Sequence, residues 1–191
     1  MFEANPQLIP YLSKTVNVNS FNDCVTVENL AVSDKKGKVT LNVLKDYIAS
    51  SSVKSVSELN KFNTNGAKYE LETAVNVPAT TIDTYCRDNK IASVNVIKMD
   101  IEGHEDKAYE GMRNIVKSSP DITLFIEFTK HAYDKPEDFY KKMLADFGNV
   151  FQIDGAGKIL KPKNRSYKAV IGDGDNWSMP VFSKNKNLAS A

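Results

Sequence analysis

The chain has 191 residues, which suits one domain large enough to bury a core. Hydrophobic residues make up 41% and charged residues 26%, as in an ordinary globular protein. The net charge of +1, with acids and bases interspersed, gives no attraction to nucleic acid or to an anionic membrane surface. No apolar run approaches the roughly 20 residues that span a bilayer, and residues 1–6 lack the basic-then-apolar order of a signal peptide.

The first predicted element is a helix, with Pro6 at an early position and Leu8, Ile9, Tyr11 and Leu12 as its apolar face. A β-prone run over 24–32 follows and ends at Ser33-Asp34. The turn Lys35-Lys36-Gly37-Lys38 then leads into the alternating strand Val39-Thr40-Leu41-Asn42-Val43. Residues 49–66 are rich in Ser, Asn and Lys without a period, and are expected to form a long mobile loop, such as a lid, with room for one helical turn. Another strand is predicted over 69–77, with Leu71, Thr73 and Val75 on one face. Thr80-Thr81-Ile82-Asp83 carries a capping signal before a short helix through Asp88.

Two near-continuous apolar strands follow, over 94–100 and 122–128. A helix from about His104 lies between them, with Ala108, Met112, Ile115 and Val116 at helical spacing. An amphipathic helix is predicted over 136–147, turning Phe139, Met143, Leu144 and Phe147 inward. Short strands punctuated by glycines fill 150–182. Cys24 and Cys86 are too few for a zinc site or a disulfide framework. They read as reduced packing residues, for which a cytoplasmic location is expected. Buried strands alternating with helices predict a doubly wound, mostly parallel α/β sheet with a C-terminal antiparallel hairpin. One domain is expected over 1–183, with a disordered tail over 184–191.

In open α/β sheets ligands bind beyond the carboxyl ends of the strands. At those ends stand Glu3, then Lys98, Asp100, Glu102, His104 and Glu105, then Glu127 and His131. Each has a plain structural alternative. Glu105 and Asp106 in a first helical turn oppose the helix dipole without any catalytic role. Lys98 in an apolar strand implies a buried ammonium that needs a partner, with Glu127 or Glu102 as candidates. Asp100 and Glu102 also suit a hard divalent cation, a reading that ranks last here, and no metal site is assigned.

The segment Lys98-Met99-Asp100-Ile101-Glu102-Gly103-His104-Glu105, continuing to Ala108 and Gly111, resembles the signature of the FkbM-type methyltransferase family. That signature runs Lys, apolar, Asp, apolar, Glu, Gly, any, Glu. Glu3-Ala4-Asn5-Pro6 resembles the family's Glu-Pro-Asn-Pro, with Ala4 in place of a proline. Asn29-Leu30-Ala31-Val32-Ser33-Asp34 resembles its Asn-x-Ala-Val-x-Asp, and Thr81-Ile82-Asp83 the segment before its central strand. The likeness covers residues 2–128.

The resemblance implies a Rossmann-like class I methyltransferase fold that uses S-adenosylmethionine. The expected reaction is O-methylation of a sugar hydroxyl on a small molecule, glycan or glycoconjugate. By the same analogy Glu3 accepts from the ribose hydroxyls, with Asn5 in the same motif. Ala31 and Val32 flank the adenine, Asp34 meets its amino group, and Asp100 faces the methionine end. Lys98, Glu102, His104 and Glu127 become candidates to hold or deprotonate the acceptor hydroxyl. The family's glycine-rich strand-helix unit is absent ahead of Glu3, and Gly172-Asp173-Gly174-Asp175 does not replace it, so an N-terminal truncation is expected. Two other functions compete. One is an inactive methyltransferase-like domain that binds a glycan or a partner, such as a glycosyltransferase or a fused domain. The other is a metal-dependent hydrolase built on Asp100, Glu102 and Glu105.

Overall fold

The computed structural model describes residues 1–62, 68–173 and 177–190. The first helix, α1, spans Ile9–Val18; the proline in its opening turn, where a missing N–H costs no hydrogen bond, is Pro10 rather than the expected Pro6, which precedes the helix, and of the expected apolar face Tyr11 is exposed. Before it, Phe2 pairs with Glu28 in a parallel bridge, so little of the β-prone run over 24–32 becomes strand: β1 is only Ala31–Val32. After a tight turn, β2 (Gly37–Leu44) runs back antiparallel to β3 (Leu71–Thr80), and β1 lies parallel on the other side of β3. The register places Val39 opposite Val77 and Leu41 opposite Val75. Leu41, Val43, Val77 and Ala79 point inward and are buried, while Thr40, Asn76 and Pro78 face solvent.

Residues 49–62 hold more regular structure than the one helical turn allowed for in the expected loop. A 3-10 turn at Ile48–Ser50 brings Ser52 back to pair with Asn42, and α2 follows over Val56–Phe62. Ser55 and Glu58 start that helix reciprocally: the Ser55 N–H donates to the Glu58 carboxylate at 2.9 Å and the Glu58 N–H to the Ser55 hydroxyl at 3.3 Å. Residues 63–66 of the expected loop lie outside the described residues, as do Gly174 and Asp175 of the late glycine run.

The second sheet has the order β4-β5-β8-β6-β7, with β4 Val96–Met99, β5 Thr123–Ile126, β6 Asn149–Ile153, β7 Ile159–Leu160 and β8 Val181–Ser183. Among its described strands only β4 and β5 pair in parallel. The contacts of β8 with β5 and β6, and of β6 with β7, are antiparallel. Both sheets are therefore mixed, which corrects the mostly parallel expectation. The connection from β6 to β7 is too short for the crossover that parallel strands need, and the alternation in β2 marks a strand with one wet face.

Five helices pack around this sheet: α3 (Ile82–Asp88), α4 (Glu105–Glu110), α5 (Arg113–Ser118), α6 (Pro136–Phe147) and α7 (Tyr167–Ile171). Thr81 caps α3 by accepting the Thr84 N–H at 2.9 Å. The single helix expected from His104 is broken at Gly111-Met112. Gly111 packs on β1 so closely that a Cβ there would sit 2.1 Å from the Ser33 carbonyl oxygen. The main core joins Met112, Val116, Leu124, Ile126, Phe128, Tyr140 and Met143 with their neighbours; the first sheet has its own small cluster. Cys86 is buried in the main core, whereas Cys24 is exposed, against the expectation that both pack. Lys184 donates to the carbonyls of Val116, Lys117 and Ser119 at the end of α5. Among the described residues no helix is long and apolar enough to cross a membrane.

Candidate active site

Where β4 ends at Met99 the chain must leave the sheet and turn into α4 within six residues. It does so with two consecutive left-handed residues, Glu102 (φ 57°) and Gly103 (φ 91°). The second requires glycine, because a Cβ there would come 2.9 Å from that of Ala132. This turn forms one wall of a cavity of about 120 Å³. Asp100, Glu102 and His104 line it from this turn, Glu3 from the segment before α1, and Ala31 and Val32 from β1. Ser51, Ser52 and Val53 line it as well, and Ser52 is fastened down by donating to the Glu102 carbonyl at 2.7 Å.

The carboxylates here differ sharply in character. Asp100 and Glu127 share a hydrogen bond, which, with the Lys98 ammonium, holds Asp100 below the ordinary aspartate range. Burial, that hydrogen bond and the Asp100 charge push Glu127 up to about 8. Near neutral pH the pair therefore carries one proton, on Glu127, and one negative charge, on Asp100. Burial, then the charges of Asp100 and Glu105, raise Glu102 to about 7. A carboxyl poised there accepts a proton at neutral pH more readily than an ordinary glutamate. His104 is driven below its usual value, chiefly by burial, and is neutral. Its Nε2 lies 3.0 Å from the Ser33 hydroxyl, which in turn donates to Asp34 at 3.2 Å.

Glu3 is positioned by backbone contacts. Its N–H donates to the Glu28 carbonyl, Asn29 donates to the carbonyls of Glu3 and Ala4, and the Asn5 N–H donates to Glu3 Oε1 at 2.6 Å. One carboxylate oxygen is thereby tied, and Glu3 lines the cavity. Asn5 is 1% exposed and lies outside the lining, with its Nδ2 unpartnered among the described residues. Asp34 is exposed and also outside the lining, reaching the site only through Ser33. Lys98 departs from expectation: it is exposed at the sheet edge, and its ion-pair partner is Asp100 at 2.5 Å rather than Glu127 or Glu102. His131 sits in an exposed 3-10 turn, Lys130–Ala132. Among the described residues no three His, Cys, Asp or Glu side chains are grouped to hold a metal.

A larger cavity of about 370 Å³ adjoins the first, sharing Phe2, Val32, Asp100 and Ile101 with it. Its walls are mostly apolar, including Ile82, Cys86, Val96 and Met112, and it runs along the edge of β4 that pairs with no described strand. Two residues that hold the candidate site in place escaped the sequence. Ser52, which lines the cavity and bonds the Glu102 carbonyl, has no motif around it. Glu105 was visible in the signature but read as a dipole partner, whereas its side chain turns inward and is 1% exposed.

The sequence model of the methyltransferase FkbM domain matches residues 1–156. A crystal structure of Methyltransferase FkbM from Methylobacillus flagellatus KT shares the fold, with a TM-score of 0.53 at 16% sequence identity. That likeness covers 96% of this chain and 35% of the other, so the chain spans about a third of that structure's length. No curated protein matches the sequence. The chain belongs to the FkbM methyltransferase domain family.

Proposed function

From that membership and the cavity's two dissimilar walls, we propose that the domain is an S-adenosylmethionine-dependent O-methyltransferase acting on a sugar hydroxyl. The carrying observation is that Glu3, Ala31 and Val32 line one small cavity together with Asp100, Glu102 and His104. The first wall has the chemistry of a nucleoside site. A carboxylate with one oxygen tied and one available accepts from hydroxyl donors, and two apolar residues beside it suit a flat base. When bound, the cofactor supplies an electrophilic methyl group on a sulfonium.

The second wall handles the acceptor. Glu102 takes the proton of the acceptor hydroxyl on its carboxylate, and the oxygen becomes the nucleophile. Asp100, anionic and paired with protonated Glu127, places a negative charge beside the electron-poor centre. His104, neutral and held by Ser33, orients the acceptor by hydrogen bonding rather than by charge. The strap at Ser51–Val53 excludes water, and alignment of the two reactants supplies the larger share of the acceleration.

Titration calorimetry with S-adenosylhomocysteine tests the first wall. We expect saturable binding that Glu3→Ala weakens at least about tenfold, the loss of a hydrogen bond to a charged group. Equal affinity in the variant would remove the nucleoside reading. Methyl transfer to a panel of methyl glycosides tests the second wall, with Glu102→Gln expected to abolish turnover while leaving binding in place.

One observation favours a second reading, a methyltransferase-like domain that binds without turnover. The larger cavity beside β4 is mostly apolar, and among the described residues no glycine lines it. If calorimetry shows no binding, repeating it on a chain extended upstream decides between the two.

A further inference from the structure

We propose that Glu105 is a positioning residue which holds the backbone of Glu102 in its working place and, through Tyr133, ties that turn to the segment carrying Glu127. This rests on reading Glu102 as the proton acceptor, but its geometry stands apart from that reading. The Glu105 side chain does not line the cavity; it lies behind the turn. Its Oε1 accepts the N–H of Ile101 at 2.9 Å and that of Gly103 at 3.3 Å, the residues on either side of Glu102. Its Oε2 accepts the Tyr133 hydroxyl at 2.9 Å.

The same hydroxyl lies 3.4 Å from the Glu127 carbonyl, so one buried carboxylate links the two segments that hold the acid groups. Glu105 is 1% exposed and Tyr133 6% exposed, and an unsolvated carboxylate needs every donor it has. A non-glycine residue at positive φ is unfavourable without support, and Glu102 is such a residue at 57°. Its flanking amides are clamped by Glu105 and its carbonyl accepts from Ser52, so the turn is held from both faces. Gly103 completes the fit, since Ala132 occupies the space a side chain would need. Packing alone explains none of these contacts, because an apolar side chain of similar size fills the same volume.

That contrast supplies the experiment, made on the full chain with Glu105→Gln, Glu105→Leu and Tyr133→Phe. Hydrogen exchange is read at the Ile101 and Gly103 amides, and S-adenosylhomocysteine affinity in parallel. Glutamine keeps the acceptor oxygen, so both amides stay protected within about threefold of wild type. Leucine keeps the volume and loses the acceptor, so both exchange at least about tenfold faster, the loss of one hydrogen bond to a charged group. Leucine protecting these amides as well as the native residue would overturn the proposal. Where Glu105→Leu does not fold, Tyr133→Phe decides, because it deletes one hydroxyl. Faster exchange at Gly103 supports the link and unchanged exchange breaks it. Failure of the methyltransferase reading appears elsewhere, as absent S-adenosylhomocysteine binding in the wild-type protein with these amides still protected.

Discussion

The two sheets divide the labour unequally. The five-stranded sheet is backed by helices and a continuous aromatic and aliphatic core, with Phe128 stacked on Phe139 at 5.6 Å and touching Tyr133 and Tyr167 edge-on. The three-stranded sheet has only a small apolar cluster of its own, Ala31, Leu41, Val43, Val77 and Ala79, and one open face. Yet each sheet gives one wall of the cavity. The residues proposed for the chemistry, Asp100, Glu102 and Glu127, follow strands of the heavily packed sheet, and those proposed for the cofactor surface, Ala31 and Val32, form a strand of the light one. On that proposal the groups that must hold their geometry stand on the deeper core.

Truncations measure the inequality most directly. Phe128→Ala should cost about 3–5 kcal/mol and lower the melting temperature of the whole domain, as a cavity in a core that cannot collapse. Leu41→Ala should cost about 2–4 kcal/mol, and its signature should be local. Amides of β2 and β3 are expected to exchange faster while those of β5 keep their protection; equal loosening of both sheets would erase the comparison.

Proton linkage sharpens it next. Glu102 and Glu127 are raised in the folded protein, to about 7 and about 8, from an ordinary 4.5. Between the ordinary and raised values the folded state holds more protons than the unfolded one, so stability falls as pH rises through that window. Asp100, which is lowered, acts in the opposite sense only at acid pH, where its support is lost as pH falls. Melting curves from about pH 5 to about pH 8 should therefore shift downward, and Glu127→Gln should flatten the shift. Smaller still is Thr81→Ala, which removes the cap of α3 and should cost about 1 kcal/mol by denaturant unfolding. Last comes Lys45→Ala on the light sheet: its pair with Glu70 at 3.8 Å is exposed on both sides, and the change should stay within about 0.5 kcal/mol.

The sequence carried the packed half more legibly than the light half. The helix over 136–147 was readable to the residue, because a proline start, an apolar stripe and a left-handed glycine end all agree. The apolar strands near β4 and β5 were readable as strands, but an apolar run does not say which way its neighbours point, and so the mixed pairing was missed. Residues 49–62 looked almost structureless because their placement comes from one local device and one long-range one. One is the Ser55 to Glu58 box, which is visible in sequence. The other is Ser52 bridging Asn42 and Glu102, which is not. At the site the signature residues could be named, but not their environments. Lys98 proved exposed because β4 is an edge, and Glu105 proved buried because the turn before it folds back over it.

Gly111 gives the close contact between the two halves a consequence for how the molecule melts. Its missing side chain lets the Ser33 carbonyl of the light sheet rest against the break between α4 and α5. Its own carbonyl accepts the Asp83 N–H, and the Asp83 carboxylate accepts the N–H groups of Asn114 and Ile115. A shallow sheet welded at this point borrows the cooperativity of the deep one. The intact domain should then lose its structure in a single calorimetric transition, and a methyl group at position 111 should split that transition in two.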